Sequence, residues 1–148
     1  MTLPLTGGSL ADTGEYVKRA EAAGYTDLWS GETAGPDGFT PLALSAAWTE
    51  RMRLGTGIVG VFQRGPALLA QEAAALSDAS EGRFVLGIGS SSDRIIEGWN
   101  QIPFEKPLSK VRETLEFLQV ALQGERTSTR FKLETKPAYE IPIVLAAL

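Results

Sequence analysis

Short apolar runs alternate with longer amphipathic stretches along this chain, and the alternation predicts strands and helices in turn. The runs at residues 27–30, 54–59 and 84–88 have the length of buried strands. Each of them ends in a loop of small or polar residues. Because parallel strands joined by helices end at one edge of their sheet, we expect these three loops to meet in a shared pocket.

Proline and glycine mark the ends of four predicted helices. The first should begin near Ser9 and end at Gly24, and the second should have Thr40 as its N-cap and run to about residue 51. Pro66 should open the third helix and Pro107 the fourth. Apolar residues recur at spacings of three and four along the fourth helix, which predicts one packed face: Leu108, Val111, Leu115, Leu118 and Leu122.

The remaining segments complete a repeating pattern of strand and helix. We expect a first strand at residues 3–5, a last one at 141–145, a loop holding Trp99 before the fourth helix, and a small hairpin insertion at 127–139. The pattern predicts an α/β fold of the parallel (β/α)8, TIM-barrel type, truncated to about the first four and a half βα units, since a whole barrel needs about 250 residues. The alternative is a small open five-stranded sheet that is complete in itself.

Composition excludes several classes of function. The 148 residues, 43% hydrophobic, suit one domain or part of a larger one. With 14 basic and 18 acidic residues the net charge is −4, and no basic stripe suggests nucleic acid as a partner. Apolar runs are too short to span a membrane, and no signal segment opens the chain, so we expect a cytoplasmic protein.

The chain contains neither cysteine nor histidine. This excludes thiol nucleophiles, iron–sulfur clusters and imidazole bases, and we expect no metal site. Chemistry would have to depend on carboxylates, hydroxyls, backbone amides or a bound organic cofactor, which supplies difficult chemistry itself.

Three loops carry the candidate site residues, and each has a less specific alternative. Gly89, Ser90 and Ser91 end the strand at 84–88, where hydroxyls and amides could bind ligand oxygens; the alternative is a plain turn. The glycines around Thr56 and Gly57 favour a close approach to the backbone at this point; the alternative is that they allow packing against a helix. Glu32 and Asp37 follow the strand at 27–30 and could hold a cofactor ring or relay a proton, although most loop carboxylates are simply solvated. Arg64 and Arg83 are interpreted as structural residues.

Taken together, the motifs resemble those of the bacterial luciferase-like monooxygenases, and within them the oxidoreductases that use the deazaflavin coenzyme F420. The matching stretches run nearly from end to end: residues 20–29 (AEAAGYTDLW), 49–57 (TERMRLGTG), 64–66 (RGP), 80–91 (SEGRFVLGIGSS) and 142–147 (PIVLAA), with Glu32 and Asp37 between the first two. The flavin-using branch often carries histidines after the position of Glu32. Their absence here favours the deazaflavin branch.

The resemblance implies a cofactor lying over the carboxyl ends of the strands of a (β/α)8 barrel. In the family, the third strand carries a bulge with a non-proline cis peptide behind the cofactor ring, which maps to Gly57–Ile58. The cofactor-binding residues would be Asp37, Thr56, Gly57, Ile58, Gly89, Ser90 and Ser91, and the catalytic candidates are Asp37 and Glu32.

The expected function is hydride transfer between coenzyme F420 and a small organic substrate. The alternatives are an FMN-dependent luciferase-like monooxygenase and a non-catalytic half-barrel. An incomplete barrel exposes the unpaired edges of its sheet, so we also expect the isolated chain to self-associate, as a homo-oligomer or through those edges.

Overall fold

The fold is built on one parallel sheet. The computed structural model describes residues 1–3 and 9–146. In that part of the chain the strands are β1 (Thr2–Leu3), β2 (Asp27–Ser30), β3 (Arg53–Thr56), β4 (Val59–Gly60), β5 (Phe84–Gly89) and β6 (Ile143–Leu145). Every pairing is parallel, and the strands follow one another across the sheet in chain order. The predicted strand at 3–5 is β1 in part, since residues 4 and 5 lie outside the described residues.

The third strand of this order is interrupted. β3 pairs with the first part of β5, with Leu54 opposite Phe84, and β4 pairs with its end, with Gly60 opposite Gly89. β3 and β4 are therefore two halves of one strand that breaks at Gly57–Ile58. The peptide bond between these two residues is cis, as the resemblance predicted.

Four α-helices connect the strands: α1 (Thr13–Ala22), α2 (Thr40–Trp48), α3 (Pro66–Ala79) and α4 (Pro107–Ala121). All four were predicted, but two of their starts differ from the prediction. α1 begins at Thr13 and not near Ser9, and Thr40, expected as the N-cap of α2, is the first residue of that helix. The glycines that follow α1 and α4, Gly24 and Gly124, have φ of 90° and 76°, a conformation that side chains with a Cβ adopt at a cost. α2 ends at Trp48, earlier than predicted, because Thr49 is already extended.

The core lies between the sheet and the layer of helices, whose neighbours in chain order pack on one another. Its fully buried side chains come from both layers, and they include Leu28, Leu54, Phe84 and Leu86 from the strands and Leu42, Leu69 and Leu118 from the helices. Burying such side chains contributes about 1.5–3 kcal/mol each. The other face of the sheet has glycine at position 55, where the ring of Trp29 lies so close that a Cβ would overlap it.

Two connecting segments differ from the sequence prediction. Residues 127–139 contain turns and no strand, so the predicted hairpin does not form. Instead, Phe131 stacks on Phe117 of α4 with the ring centroids 5.6 Å apart, and Leu133 is buried. The contact of Phe131 with α4 and the burial of Leu133 hold the segment against the core without any strand pairing. The predicted loop around Trp99 contains a six-residue π-helix, Arg94–Trp99.

Parallel strands in chain order, with the connecting helices packed as a layer, are the architecture of the opening units of a (β/α)8 barrel. The predicted α/β class is confirmed, and the break in the third strand lies near the carboxyl ends of the strands. Among the described residues, no helix is both long and apolar enough to cross a membrane.

Candidate functional site

An open cleft of about 710 Å³ lies at the carboxyl ends of the strands. Five of the predicted site residues line it: Glu32, Gly57, Ile58, Ser90 and Ser91. The cleft therefore draws on the loop after β2, the break in the third strand and the loop after β5, the three regions expected to meet. Its size falls within the range of about 300–1,000 Å³ typical of small-molecule sites.

The floor of the cleft is formed where the β2 loop meets the broken strand. The backbone N–H of Glu32 donates to the carbonyl of Ile58 at 3.2 Å. The close approach of this loop to the broken strand depends on glycine at position 31, because a Cβ there would lie 3.1 Å from the carbonyl oxygen of Gly57. Gly89 is beneath this floor rather than in its lining, and a Cβ there would lie 3.1 Å from the Ile58 side chain.

Thr56 is fully buried below the cleft and joins β3 to β5. Its hydroxyl accepts from the backbone N–H of Gly87 at 2.7 Å and donates to the Gly87 carbonyl at 2.8 Å. A Cβ at Gly87 would overlap the carbonyl oxygen of Thr56. Thr56 therefore supports the strand next to the break and does not itself face the cleft.

The loop after β5 supplies most of the polar groups in the cleft. Ser90, Ser91 and Ser92 all line it, and Ser91 has φ of 63°, in the left-handed region. The Ser90 hydroxyl donates to the carbonyl of Ser91 at 3.2 Å. Hydroxyls and amides in a turn of this kind can donate to the oxygens of a ring carbonyl or a phosphate.

Apolar side chains form the opposite wall: Ile95 of the π-helix, Pro107, Leu108 and Val111 of α4, and Leu145 and Ala146 at the end of β6. Leu108 was predicted to pack in the core, and that prediction is wrong. It is 72% exposed, because the first turn of α4 extends past the strand ends to the rim of the cleft. The side chains of α4 that are buried are Thr114, Leu118 and Ala121.

A cluster of four charged side chains adjoins the cleft, with Arg64 at its centre. The Arg64 guanidinium pairs with Glu32 through Nη1, with Glu72 at 3.0 Å through Nε, and more distantly with Asp37 at 3.9 Å. It also lies over the ring of Phe39, 5.3 Å from the centroid. The side chains of Arg64 and Glu32 are only 14% and 11% exposed. The interpretation of Arg64 as an ion-pairing residue is confirmed.

Asp37 lies in this cluster but outside the lining of the cleft. Its Oδ1 accepts from the backbone N–H groups of Phe39 at 2.8 Å and Thr40 at 2.9 Å. Asp37 thus caps the start of α2, a function that the sequence analysis gave to Thr40. Its role toward a cofactor or substrate stays a prediction, as does that of Glu32.

The cluster changes the ionisation of its members. Burial opposes the charged form of Arg64, but hydrogen bonding and attraction by Glu32 and Glu72 outweigh it and raise the pKa of the guanidinium. Burial also opposes ionisation of Asp37, yet the hydrogen bonds from Thr40 and Phe39 and the charge of Arg64 lower its pKa. For Glu72, burial prevails over the attraction of Arg64, and the pKa of its carboxyl is raised.

Glu72 was missed by the sequence analysis, although a signal was present. It falls between Leu69, Ala73 and Leu76 on the inner face of α3, and a charge on such a face requires a partner. The partner is Arg64, whose Nε donates to Glu72 Oε1 at 3.2 Å. The two residues are eight apart in the chain, so helical periodicity alone could not pair them.

A second groove of similar volume, about 730 Å³, lies between α4 and β6. It is lined by Leu115, Leu118 and Leu122 of the helix and by the segment that leads into the last strand. This groove is beside the edge of the sheet and away from the carboxyl ends of the other strands. In parallel α/β folds ligands bind at those ends, so we take the cleft as the candidate site.

The fold defines an α/β protein of the (β/α)8 type, with a cleft at the carboxyl ends of its strands. More specifically, the chain belongs to the luciferase-like monooxygenase family, whose model matches residues 2–148. It is 35% identical over 129 residues to a Mycobacterium tuberculosis protein named "Putative coenzyme F420-dependent oxidoreductase", and the match covers 87% of this chain and 36% of that protein. The family predicted by the motifs is confirmed.

Two solved structures share the fold. A coenzyme F420-dependent tetrahydromethanopterin reductase from Methanopyrus kandleri superposes with a TM-score of 0.77 at 24% identity, covering 99% of this chain and 49% of the other. The FMN complex of a type II Baeyer–Villiger monooxygenase component from Pseudomonas putida gives 0.74 at 19% identity, covering 94% and 47%. The chain thus spans about a third to a half of the length of these proteins.

The residues present fit a tricyclic ring with polar edges. The cleft combines apolar walls, from Ile58, Ile95 and Leu108, with a row of hydroxyls at Ser90, Ser91 and Ser92. Glycine at 31 and 89 keeps side chains away from the floor, where a Cβ would be crowded. A flat apolar body and hydrogen-bonding oxygens on one side are what such a lining accommodates.

Proposed function

We propose that this chain contributes the cofactor cleft of an oxidoreductase that transfers a hydride between coenzyme F420 and a small organic substrate. The observation that carries the proposal is the cleft itself, which joins the broken third strand, the serine loop and an apolar wall at the carboxyl ends of the strands. The similarity to a relative named for coenzyme F420 supports the choice of cofactor.

Each residue has a proposed task in that cleft. Gly57 and Ile58 would form the surface beneath the ring, and the hydroxyls of Ser90 and Ser91 would donate to its oxygens. The coenzyme would supply the hydride chemistry, while the chain orients the ring and excludes water. Asp37 and Glu32 remain the candidates for a hydrogen bond to ring or substrate.

Two alternatives stay open. An FMN-dependent monooxygenase is supported by the same cleft, because a flavin ring has the same tricyclic shape and the P. putida component has this fold. A non-catalytic half-barrel is the second alternative, and it would bind neither ring. The three candidates differ in what the chain binds.

A fluorescence titration with coenzyme F420 and with FMN separates them. We expect the wild-type chain to bind coenzyme F420 and Leu108→Trp to weaken that binding by about tenfold or more, because the larger side chain enters the cleft. Val120→Trp, on the same helix but outside the lining, is the matched control and should bind normally. Binding of FMN alone would support the monooxygenase, and binding of neither would support the non-catalytic half-barrel.

We also propose that the chain associates with a second copy of itself through the edge at β6. Val144 and Leu145 are 41% and 48% exposed there, and among the described strands β6 pairs only with β5. Unpaired strand edges with apolar side chains favour strand addition, and a lysine on the edge opposes it. We expect size-exclusion chromatography to show a species larger than a monomer, which Val144→Lys shifts toward the monomer. Elution of the wild-type chain as a monomer would contradict this proposal.

A further inference from the structure

Arg64 is a half-buried cation whose partners lie on two segments of the chain, the loop between β2 and α2 and the helix α3. Glu32 belongs to the loop after β2, Asp37 precedes α2, and Glu72 lies on α3. The Arg64 side chain is only 14% exposed, and a charge with so little access to water requires such partners, because leaving it unpaired is destabilising. The contacts of Arg64 therefore hold these segments in a fixed arrangement.

Glu32 is the partner that connects the cluster to the cleft. Its carboxylate accepts from Arg64 and from the backbone N–H of Gly38 at 3.1 Å, which closes the loop between residues 32 and 38. Its own backbone N–H donates to Ile58 at 3.2 Å on the floor. Glu32 thus links Arg64 to the broken strand. We call residues 31–33, which line the cleft beside Ile58, the wall at residues 31–33.

We propose that Arg64 is a positioning residue of the cleft, acting through Glu32 to hold the wall at residues 31–33 against the floor at Ile58. The identity of the ligand affected rests on the proposed function; the positioning itself does not. Arginine suits this task because its planar fork presents donors in several fixed directions. A lysine ammonium at the same place would keep the charge and lose the simultaneous contacts with Glu32 and Glu72.

Amide hydrogen exchange on the full chain tests the proposal directly. We expect Arg64→Met to raise exchange in residues 31–38 by about tenfold or more, and Arg64→Lys to raise it less, while strand 84–89 keeps its protection. Glu32→Gln should reproduce the pattern, since Arg64 acts through that carboxylate. Arg53→Met is the matched control: it removes an arginine that pairs with Asp27 at the amino end of the sheet, away from the cleft, and should leave residues 31–38 unchanged.

The same variants are then titrated with coenzyme F420. We expect affinity to fall in the order wild type, Arg64→Lys, Arg64→Met. Because lysine keeps the charge, the affinity that Arg64→Lys lacks relative to the wild type reports on position. Unchanged exchange in residues 31–38, or equal loss of protection in strand 84–89, would overturn the proposal. Should Arg64→Met not fold, Arg64→Lys and Glu32→Gln decide it by the same criterion. If the wild-type chain binds no coenzyme F420, that result counts against the proposed function, and hydrogen exchange still decides the role of Arg64.

Discussion

The two ends of the parallel sheet use charged side chains in different ways. At the amino end, two charged side chains of low or partial exposure, Glu21 and Arg83, bind backbone. The carboxylate of Glu21 accepts from the N–H groups of Arg51 at 2.7 Å and Met52 at 2.9 Å, and Arg83 donates to the carbonyls of Thr49 and Met52 at 3.0 Å. Together they hold the turn that leads from the end of α2 to the start of β3.

At the carboxyl end, charged groups bind one another beside the cleft. Three carboxylates share the single positive charge of Arg64, so part of their negative charge is not balanced within the cluster. The comparison suggests that the amino end is arranged for stability and the carboxyl end for a ligand, a division that (β/α)8 barrels commonly show.

The two ends also differ in how they shift the pKa of a glutamate, Glu21 at the amino end and Glu72 at the carboxyl end. Burial opposes the ionised form of Glu21, but the backbone N–H groups of the turn outweigh it, and its pKa is lowered. Burial raises the pKa of Glu72, and the neighbouring carboxylates of Glu32 and Asp37 add to the effect. The folded state therefore favours the charged form of one and the neutral form of the other.

The largest expected effect is at the amino end. Arg83→Met should lower the free energy of unfolding by about 3 kcal/mol, since it leaves several carbonyls in the turn without their donor. Urea denaturation measures this loss of stability. The affinity for coenzyme F420, measured without urea, should stay near that of the wild type. A loss below about 1 kcal/mol would show that water replaces the guanidinium.

Glu21→Gln should cost less than about 1 kcal/mol at neutral pH, because an amide accepts more weakly than a carboxylate and solvent screens the difference. The folded pKa of Glu21 is below its ordinary value of 4.5, so its contribution is present above that pH and is lost as the pH falls through the folded pKa. The stability curves of variant and wild type should converge in acid. Parallel curves down to low pH would contradict the assignment.

Glu72→Gln should have the opposite sign. Its folded pKa is raised above 4.5, so ionisation costs the wild-type protein stability as the pH rises through that value. We expect the variant to match the wild type in acid and to be more stable at neutral pH by less than about 1 kcal/mol, because the carboxylate is partly solvated. Thermal unfolding across the pH range checks this, and a variant less stable at neutral pH would show that the pair with Arg64 dominates.

The smallest effect is expected for Arg53→Met. Arg53 pairs with Asp27, but its side chain is 59% exposed, and exposed ion pairs contribute less than about 0.5 kcal/mol. Urea denaturation should hardly distinguish the variant from the wild type. A larger loss would mean that charge at the amino end matters beyond the turn held by Arg83.

The sequence was sufficient for the elements that local chemistry determines. Proline as the first residue of α3 and α4 and glycine after α1 and α4 act within a single turn, so these four helix ends could be predicted from the residues alone. The strand at β5 is apolar throughout because both of its faces are covered.

Tertiary contacts decided the rest. Residues 127–139 look β-prone, yet Phe131 finds its partner on α4, far away in the sequence. Asp37 resembles any loop carboxylate until α2 is seen to begin just after it. The apolar face of α4 predicted packing along its whole length, whereas Leu108 reaches a rim that no local pattern can indicate.

The ring of Trp29 has an optical consequence. It lies against Gly55, and a Cβ at Gly57, which lines the cleft, would be 3.6 Å from it. The other two tryptophans are elsewhere, Trp48 against Gly14 of α1 and Trp99 under Arg94. The indole of Trp29 therefore lies directly behind the floor of the cleft. A ring stacked on that floor should quench the ultraviolet fluorescence of Trp29, so that binding can be followed without an attached label.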